Sequence, residues 1–292
     1  VKPLISANAF AGYLMFELAV SFAVLLILMQ LLLPVLSNVR QQTNIKLRLL
    51  SRIELEAAVI DHFQSQLAPM FWRACGNASD LTFTIGAADQ TLPERIDNKS
   101  VLAQSDWLNA THIGTCAYPV EVSNLSQTIN YGCEWADEII FSNCDMSSQG
   151  VVERVGDIST DVKFYDSDVI GRSGFVLSKQ AFIWYLAPGK LEDAFWHTPE
   201  TSGNSLELWS GVRYLSFYPL LDIDSDGTFD TMTTNYGTYF VSQLKGLWIE
   251  LIVKEKTCTQ AEKEIEQEFM NYRGEVWRFF PKCEFIIRFV VS

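Results

Sequence analysis

Glu17 is the residue whose surroundings demand chemistry. It stands in the run Leu14 to Leu36, 23 residues that are otherwise apolar except for Ser21, Gln30 and Pro34. A lone carboxylate beside lipid costs several kcal/mol, so it needs a counter-charge. Five residues upstream lies Gly12. Cleavage after Gly12 would create a free amine on Tyr13, and that amine could neutralise Glu17 of its own chain or of a neighbouring one in a low-dielectric bundle. A second constellation is Asp222, Asp224, Asp226, Gly227 and Asp230 in the segment DIDSDGTFD. Alternating carboxylates before a turn-forming glycine can wrap a hard, oxygen-seeking cation such as calcium, and their mutual repulsion favours filling the loop. The pattern departs from a helix-loop-helix calcium hand, because Thr233 stands where that motif needs glutamate; a solvated acidic turn is the alternative.

The 6 cysteines are Cys75, Cys116, Cys133, Cys144, Cys258 and Cys283. They suit an oxidising compartment and allow 15 pairings if all are oxidised. Their positions favour Cys258 with Cys283, which bracket a charged, helix-like insert, and leave Cys75 and Cys116 to share the remaining pairs with Cys133 and Cys144 around a short hairpin. With no C-x-x-C pair and only 3 scattered histidines, zinc is a poor fit. His62, His112 and His197 read as packing or loop residues. No Gly-x-Ser-x-Gly elbow, H-E-x-x-H motif or phosphate loop occurs, so no catalytic residue is assigned and the chain reads as a non-enzyme. The formal net charge of −13 argues against direct nucleic-acid binding through a broad face.

The elements that must place these groups follow from hydropathy. Residues 13–36 can cross an apolar layer of ~30 Å as a helix rising ~1.5 Å per residue. An ordinary secretory signal has its small-residue cleavage site behind a shorter apolar run, whereas Gly12 lies in front of this one. Pro34 lacks an amide hydrogen and should kink or locally melt the helix. The helix continues to about Leu67 as an amphipathic segment, with Leu49, Ile53, Ala57, Ile60 and Leu67 as its packing stripe, Arg40, Lys46, Arg48 and Arg52 supplying positive charge, and Pro69 as a stop. From about Met70 the pattern becomes strand-like in Leu81–Ile85, Glu138–Phe141, Val162–Tyr165, Phe175–Tyr185, Ser205–Tyr218 and Leu244–Lys254. The segment from Gly156 to Phe175 reads as a connection. The expected fold class is α+β, a long N-terminal membrane-spanning helix packed on an antiparallel β-sheet head. Its parts are residues 1–12 as a leader, 13–68 as a helical stem and 70–292 as a β-rich head.

The run Ala11-Gly12-Tyr13-Leu14-Met15-Phe16-Glu17-Leu18 resembles the prepilin N-terminus of type IV pilins and type II secretion pseudopilins, with Tyr13 in place of the usual phenylalanine. The resemblance implies cleavage between Gly12 and Tyr13 by a prepilin peptidase, N-methylation of Tyr13, an assembly role for Glu17, and a packing role for the break at Pro34. In the head, Leu206 to Leu215, the Asp-rich loop and Val241 to Val253 resemble PilW-type minor pilins and the related J-type pseudopilins. Arg278-Phe279-Phe280 and Ile286 to Phe289 resemble their closing strand pair. By this resemblance the chain would be a minor pilin that helps initiate or cap a type IV pilus for adhesion, motility or DNA uptake. Its partners would be other minor and major pilins, the inner-membrane assembly machinery and a tip adhesin. Before assembly it would sit in the bacterial inner membrane with a periplasmic head, and afterwards in the surface fimbria, at the tip. The alternatives are a J-type pseudopilin and a membrane-tethered adhesin that never polymerises.

Overall fold

The computed structural model describes residues 7–71, 81–129, 135–143, 145–156, 159–201, 203–255 and 265–292. The chain divides into two compact units, Val1–Ala58 and Val59–Ser292.

A single helix, α1, spans Ala7–Leu67, and from Met15 it is long and apolar enough to cross a membrane. The side chains of its apolar stretch, among them Phe22, Leu26, Met29 and Leu33, are exposed. The helix runs unbroken through Pro34, so the expected local melting is absent. One proline removes one amide donor from the ladder, and the turns on either side keep theirs. The Ser37 hydroxyl donates to the Pro34 carbonyl at 2.9 Å. After Leu67 the backbone tightens into a 3-10 turn, Ala68–Phe71, which contains Pro69.

The last turns of α1 belong to the second unit. Val59, Phe63 and Leu67 are fully buried there, at four-residue spacing on one face. Leu67 is on the expected packing stripe; the rest of that stripe is corrected, because Leu49, Ile53 and Ala57 are exposed and Ile60 is half-buried. The segment is so rich in apolar residues that more than one 3.6-residue stripe can be drawn on it, and only contact with the sheets selects one.

The strands, in chain order, are β1 (Thr82–Ala87), β2 (Asp106–Glu121), β3 (Ser126–Ile129), β4 (Glu138–Ser142), β5 (Ser147–Val155), β6 (Thr160–Phe164), β7 (Ser173–Pro188) and β8 (Asp193–Pro199). They continue as β9 (Leu206–Ser210), β10 (Val212–Leu221), β11 (Thr231–Met232), β12 (Gly237–Phe240), β13 (Leu244–Lys254), β14 (Gln267–Met270), β15 (Val276–Phe279) and β16 (Glu284–Val291). Ten of them form one antiparallel sheet in the order β12-β1-β2-β7-β4-β5-β6-β3, with β8 joining β7 and β9 joining β8. β7 is the spine: β2 lies along one edge, while the other edge is shared by β4, opposite its first half, and β8, opposite its second. A second sheet has the order β11-β10-β13-β16, and β14 and β15 form a separate hairpin. The chain is thus a long apolar helix plus a large antiparallel β domain.

Gly211 divides what reads in sequence as one strand, Ser205–Tyr218. Its φ of 86°, a region that suits glycine, turns the chain from β9 in the large sheet to β10 in the smaller one. Its amide donates to Asp193 of β8 at 2.7 Å, and its carbonyl accepts from Lys254 of β13 at 2.8 Å, so it is bonded into both sheets. The strand read at Val162–Tyr165 is present as β6, within the segment from Gly156 to Phe175 that otherwise connects strands. Two further expectations are corrected. The described part of the insert between Cys258 and Cys283 is the β14–β15 hairpin, not helix. The two terminal runs are not paired with each other, since β15 pairs with β14 whereas β16 pairs with β13.

Alternation along β10, β13 and β16 gives the smaller sheet two faces. Phe217, Ile249, Leu251, Ile287 and Phe289 occupy the first and are buried. The ring of Phe63 meets Phe289 edge-on at 5.9 Å and stacks on Phe195 of β8 at 4.3 Å, joining the end of α1 to both sheets. On the second face, Tyr214 and Ile252 pack beneath Trp277 and Phe279 of the hairpin.

Candidate functional site

The acidic segment is the loop from β10 to β11. Its neck is closed by two backbone bonds: the Asp222 amide donates to Gln243 at 2.8 Å, and the Asp230 amide donates to Leu221 at 2.9 Å. Asp222 is only 2% exposed. Its Oδ2 accepts from Lys245 Nζ at 2.7 Å and from the Gly227 amide at 3.0 Å, and the Ser225 amide also faces the carboxylate. The Asp224 Oδ1 accepts from the Asp226 amide at 3.1 Å. The Asp226 Oδ1 accepts from the amide and hydroxyl of Thr228, at 2.7 and 2.6 Å. Left-handed backbone at Ser225, φ 63°, and Gly227, φ 94°, folds the three acids inward. One carboxylate oxygen from each of Asp222, Asp224 and Asp226 lies within 4.8 Å of the others. The Lys245 hydrogen bond holds Asp222 below its ordinary pKa, and the Thr228 hydroxyl does the same for Asp226.

Asp230, grouped with these acids in the sequence, does something else. Its Oδ2 accepts from the amides of Ile223, at 2.6 Å, and Asp224, at 3.3 Å, so it braces the loop and lies outside the triad.

A larger charged cluster has no signature in the sequence. Arg273, in the turn of the β14–β15 hairpin, pairs with Asp106 at the start of β2; their side chains are 6% and 1% exposed. The guanidinium also donates to the carbonyls of Thr234, at 2.8 Å, and Phe217, at 2.6 Å. It lies between the rings of Tyr218 and Tyr236, 4.5 and 4.2 Å from their centroids. Asp106 accepts from the Phe217 amide at 2.7 Å and from the Tyr236 hydroxyl at 3.1 Å. Close by, Glu250 is fully buried, accepts from the Tyr218 hydroxyl and the Tyr272 amide at 3.1 Å each, and pairs with Arg288 at 3.0 Å. The groups are spent on one another and, apart from Arg288 and Tyr272 at the surface, largely enclosed, which makes the cluster a joint between the large sheet, the small sheet and the hairpin.

Burial pushes the Asp106 carboxyl up to about 6, against the pull of Arg273 and the Phe217 amide. A folded-state value above the ordinary 3.8 means that the proton binds the folded state more tightly. The stabilising contribution is therefore complete below pH 3.8 and lost as pH rises through about 6. Denaturation at pH 7.5 and pH 5 should show the wild type gaining about 1 kcal/mol relative to Asp106→Asn on acidification. An equal response in both chains would exclude this assignment.

The remaining residues singled out from sequence are separate. The Glu17 side chain is exposed on α1 between Phe16 and Leu18, themselves 70% and 61% exposed. Gly12 and Tyr13 are helical, and their side-chain surroundings lie outside the described residues, as do those of His112 and Cys116. His62 packs 5.4 Å from the Trp209 ring and His197 packs 4.3 Å from Phe182, and desolvation lowers the pKa of both, as befits packing residues. Cys283 is 1% exposed and disulfide-bonded. Cys75, Cys133, Cys144 and Cys258 lie outside the described residues, so the expected pairings do too. Comparison with known proteins adds no relative from which a role could be carried over: no protein-family model, no curated protein and no solved structure matches the chain.

Proposed function

We propose that the chain is a non-catalytic, pilin-like minor subunit that helps initiate or cap a type IV pilus. The observation that carries this reading is Glu17, an ionisable side chain on the exposed apolar stretch of α1. A plain anchor gains nothing from a carboxylate at that depth, whereas a bundle of identical stems can match each Glu17 with the amine of a neighbouring Tyr13. The stem begins in the inner membrane and passes into the bundle, exchanging lipid for the apolar faces of other subunits. The head, with ten strands in one sheet and four in another, is larger than a repeating filament unit needs and suits a tip position among other minor pilins. The disulfide of Cys283 is assigned to Cys258, which would tie the hairpin insert to the start of β16 in the oxidising space outside the membrane.

Intact-mass measurement on protein recovered from its native membrane tests the reading. Loss of residues 1–12 with a methyl group on Tyr13 is the expected result. Functional protein that retains Val1 with an unmodified amine would replace it with that of a tethered, non-polymerising adhesin.

A further inference from the structure

Pro34 leaves a mark on α1 one turn before itself. In a helix each carbonyl accepts from the amide four residues on, and a proline at that place has no hydrogen to give. The carbonyl affected is that of Gln30, which also carries an amide side chain, exposed on an otherwise apolar surface. Positions four apart lie one above the other, so the Gln30 side chain and the ladder gap at Pro34 share a face. Ala19, Ala23, Gln30, Pro34, Ser37 and Gln41 are all exposed. At 3.6 residues per turn they fall within an arc of roughly 60°, and Glu17 lies roughly 130° from its centre. Small residues let helix backbones approach each other in lipid, and amide side chains bond across the contact.

We propose that this face is a contact between the stems of two copies of the chain, in which the Gln30 side-chain amide of each copy donates to the Gln30 backbone carbonyl of the other. Hydrocarbon offers no water to either group, so both go unsatisfied on a lone helix. The partner is a second copy because the two groups complement each other: the residue that lacks a donor for its carbonyl carries spare N–H donors on its side chain. Copies inserted in the same direction bring Gln30 to the same depth, so the two bonds form reciprocally. Ser37 does not compete for the role, since its hydroxyl is turned back onto the Pro34 carbonyl at 2.9 Å. The face lies away from Glu17, which leaves one stem able to meet one neighbour through its carboxylate and another through its amide. The contact needs only apolar surroundings, so it holds or fails apart from the filament reading, whose own test is the mature N-terminus.

Energy transfer between donor- and acceptor-labelled full chains in phosphatidylcholine vesicles, followed as the chains are diluted with lipid, measures the association. The wild-type chain should associate, and Gln30→Leu should weaken association by about fivefold or more, the scale of one interhelical hydrogen bond. Leucine suits the bilayer, so insertion is not at risk. Pro34→Ala gives the Gln30 carbonyl an amide partner within its own helix and should weaken association by about threefold or more. Both changes remove the same bonds, so the double variant should associate no worse than Gln30→Leu alone. Glu17→Leu, in chains that keep residues 1–12, should associate as the wild type does. A wild-type chain that stays monomeric at every dilution, or a Gln30→Leu chain that associates like the wild type, would overturn the contact. Losses from Gln30→Leu and Pro34→Ala that multiply in the double variant would overturn the Gln30 carbonyl as acceptor, and an equal loss in Glu17→Leu would overturn the choice of face.

Discussion

Arg273→Ala is expected to destabilise the head by about 3–5 kcal/mol, the usual cost of removing one member of a buried ion pair. For a domain of this size that is a fall in melting temperature on the order of 10 °C or more. The reason is specific to the site. The substitution removes the charge that holds Asp106 ionised, so the enclosed carboxyl must stay charged without a partner or take up a proton; it also strips donors from the Thr234 and Phe217 carbonyls and opens a gap between the Tyr218 and Tyr236 rings. Arg273→Lys should recover only part of the loss, because an ammonium retains the charge but not the planar fork that reaches three acceptors at once. Asp106→Asn combined with Arg273→Met should be less damaging than Arg273→Ala, since no unpaired charge remains. Chemical denaturation of the four chains at pH 7.5 is the measurement. An Arg273→Ala chain within about 1 kcal/mol of wild type would show that the cluster is not a joint.

On the proposed pilin-like assembly, Glu17→Leu should leave membrane insertion and leader removal intact and reduce recovery of the subunit in sheared filaments by about a hundredfold or more. Leucine suits lipid better than glutamate, so nothing in the anchor itself is harmed. What is lost is the counter-charge for the amine of an adjacent subunit, and an uncompensated charge in a low-dielectric bundle costs about 3–5 kcal/mol. Glu17→Asp, one methylene shorter, should fall between the two. The measurement is the ratio of subunit in filament and membrane fractions by immunoblot. Undiminished incorporation of Glu17→Leu would remove the charge-pairing mechanism while leaving the anchor in place.

Features written in neighbouring residues were legible in the sequence, and those made by distant ones were not. Leu244–Lys254 reads as a strand and is one, because period-two alternation is a local property. The convergence of Asp222, Asp224 and Asp226 could likewise be read from their spacing alone. Asp230 could not be separated from them by that route, since its role depends on which amides the folded loop turns toward it. Asp106 and Arg273 are 167 positions apart, with no motif around either, so nothing short of the assembled sheets brings them into view. The stripe on α1 held at Leu67 and missed elsewhere for the opposite reason: too many apolar residues satisfied the helical period, and the choice of Val59 and Phe63 beside Leu67 belongs to their partners, with Phe63 held between Phe195 and Phe289.

The large sheet is finished at one margin by a late arrival. β1 is flanked on one side by β2 and on the other by β12, pairing Thr82 with Phe240 and Ile85 with Gly237. Whatever route the chain takes from the ribosome, the hydrogen-bonding groups of β1 on that side wait for more than half the polypeptide to follow before they are met. The same holds for Asp106, whose guanidinium partner comes later still. During that interval the early strands form a platform with an open seam, the kind of surface on which unrelated chains add strands. Sealing it depends on β12, so truncations that remove Gly237–Phe240 should leave that edge of β1 open to aggregation.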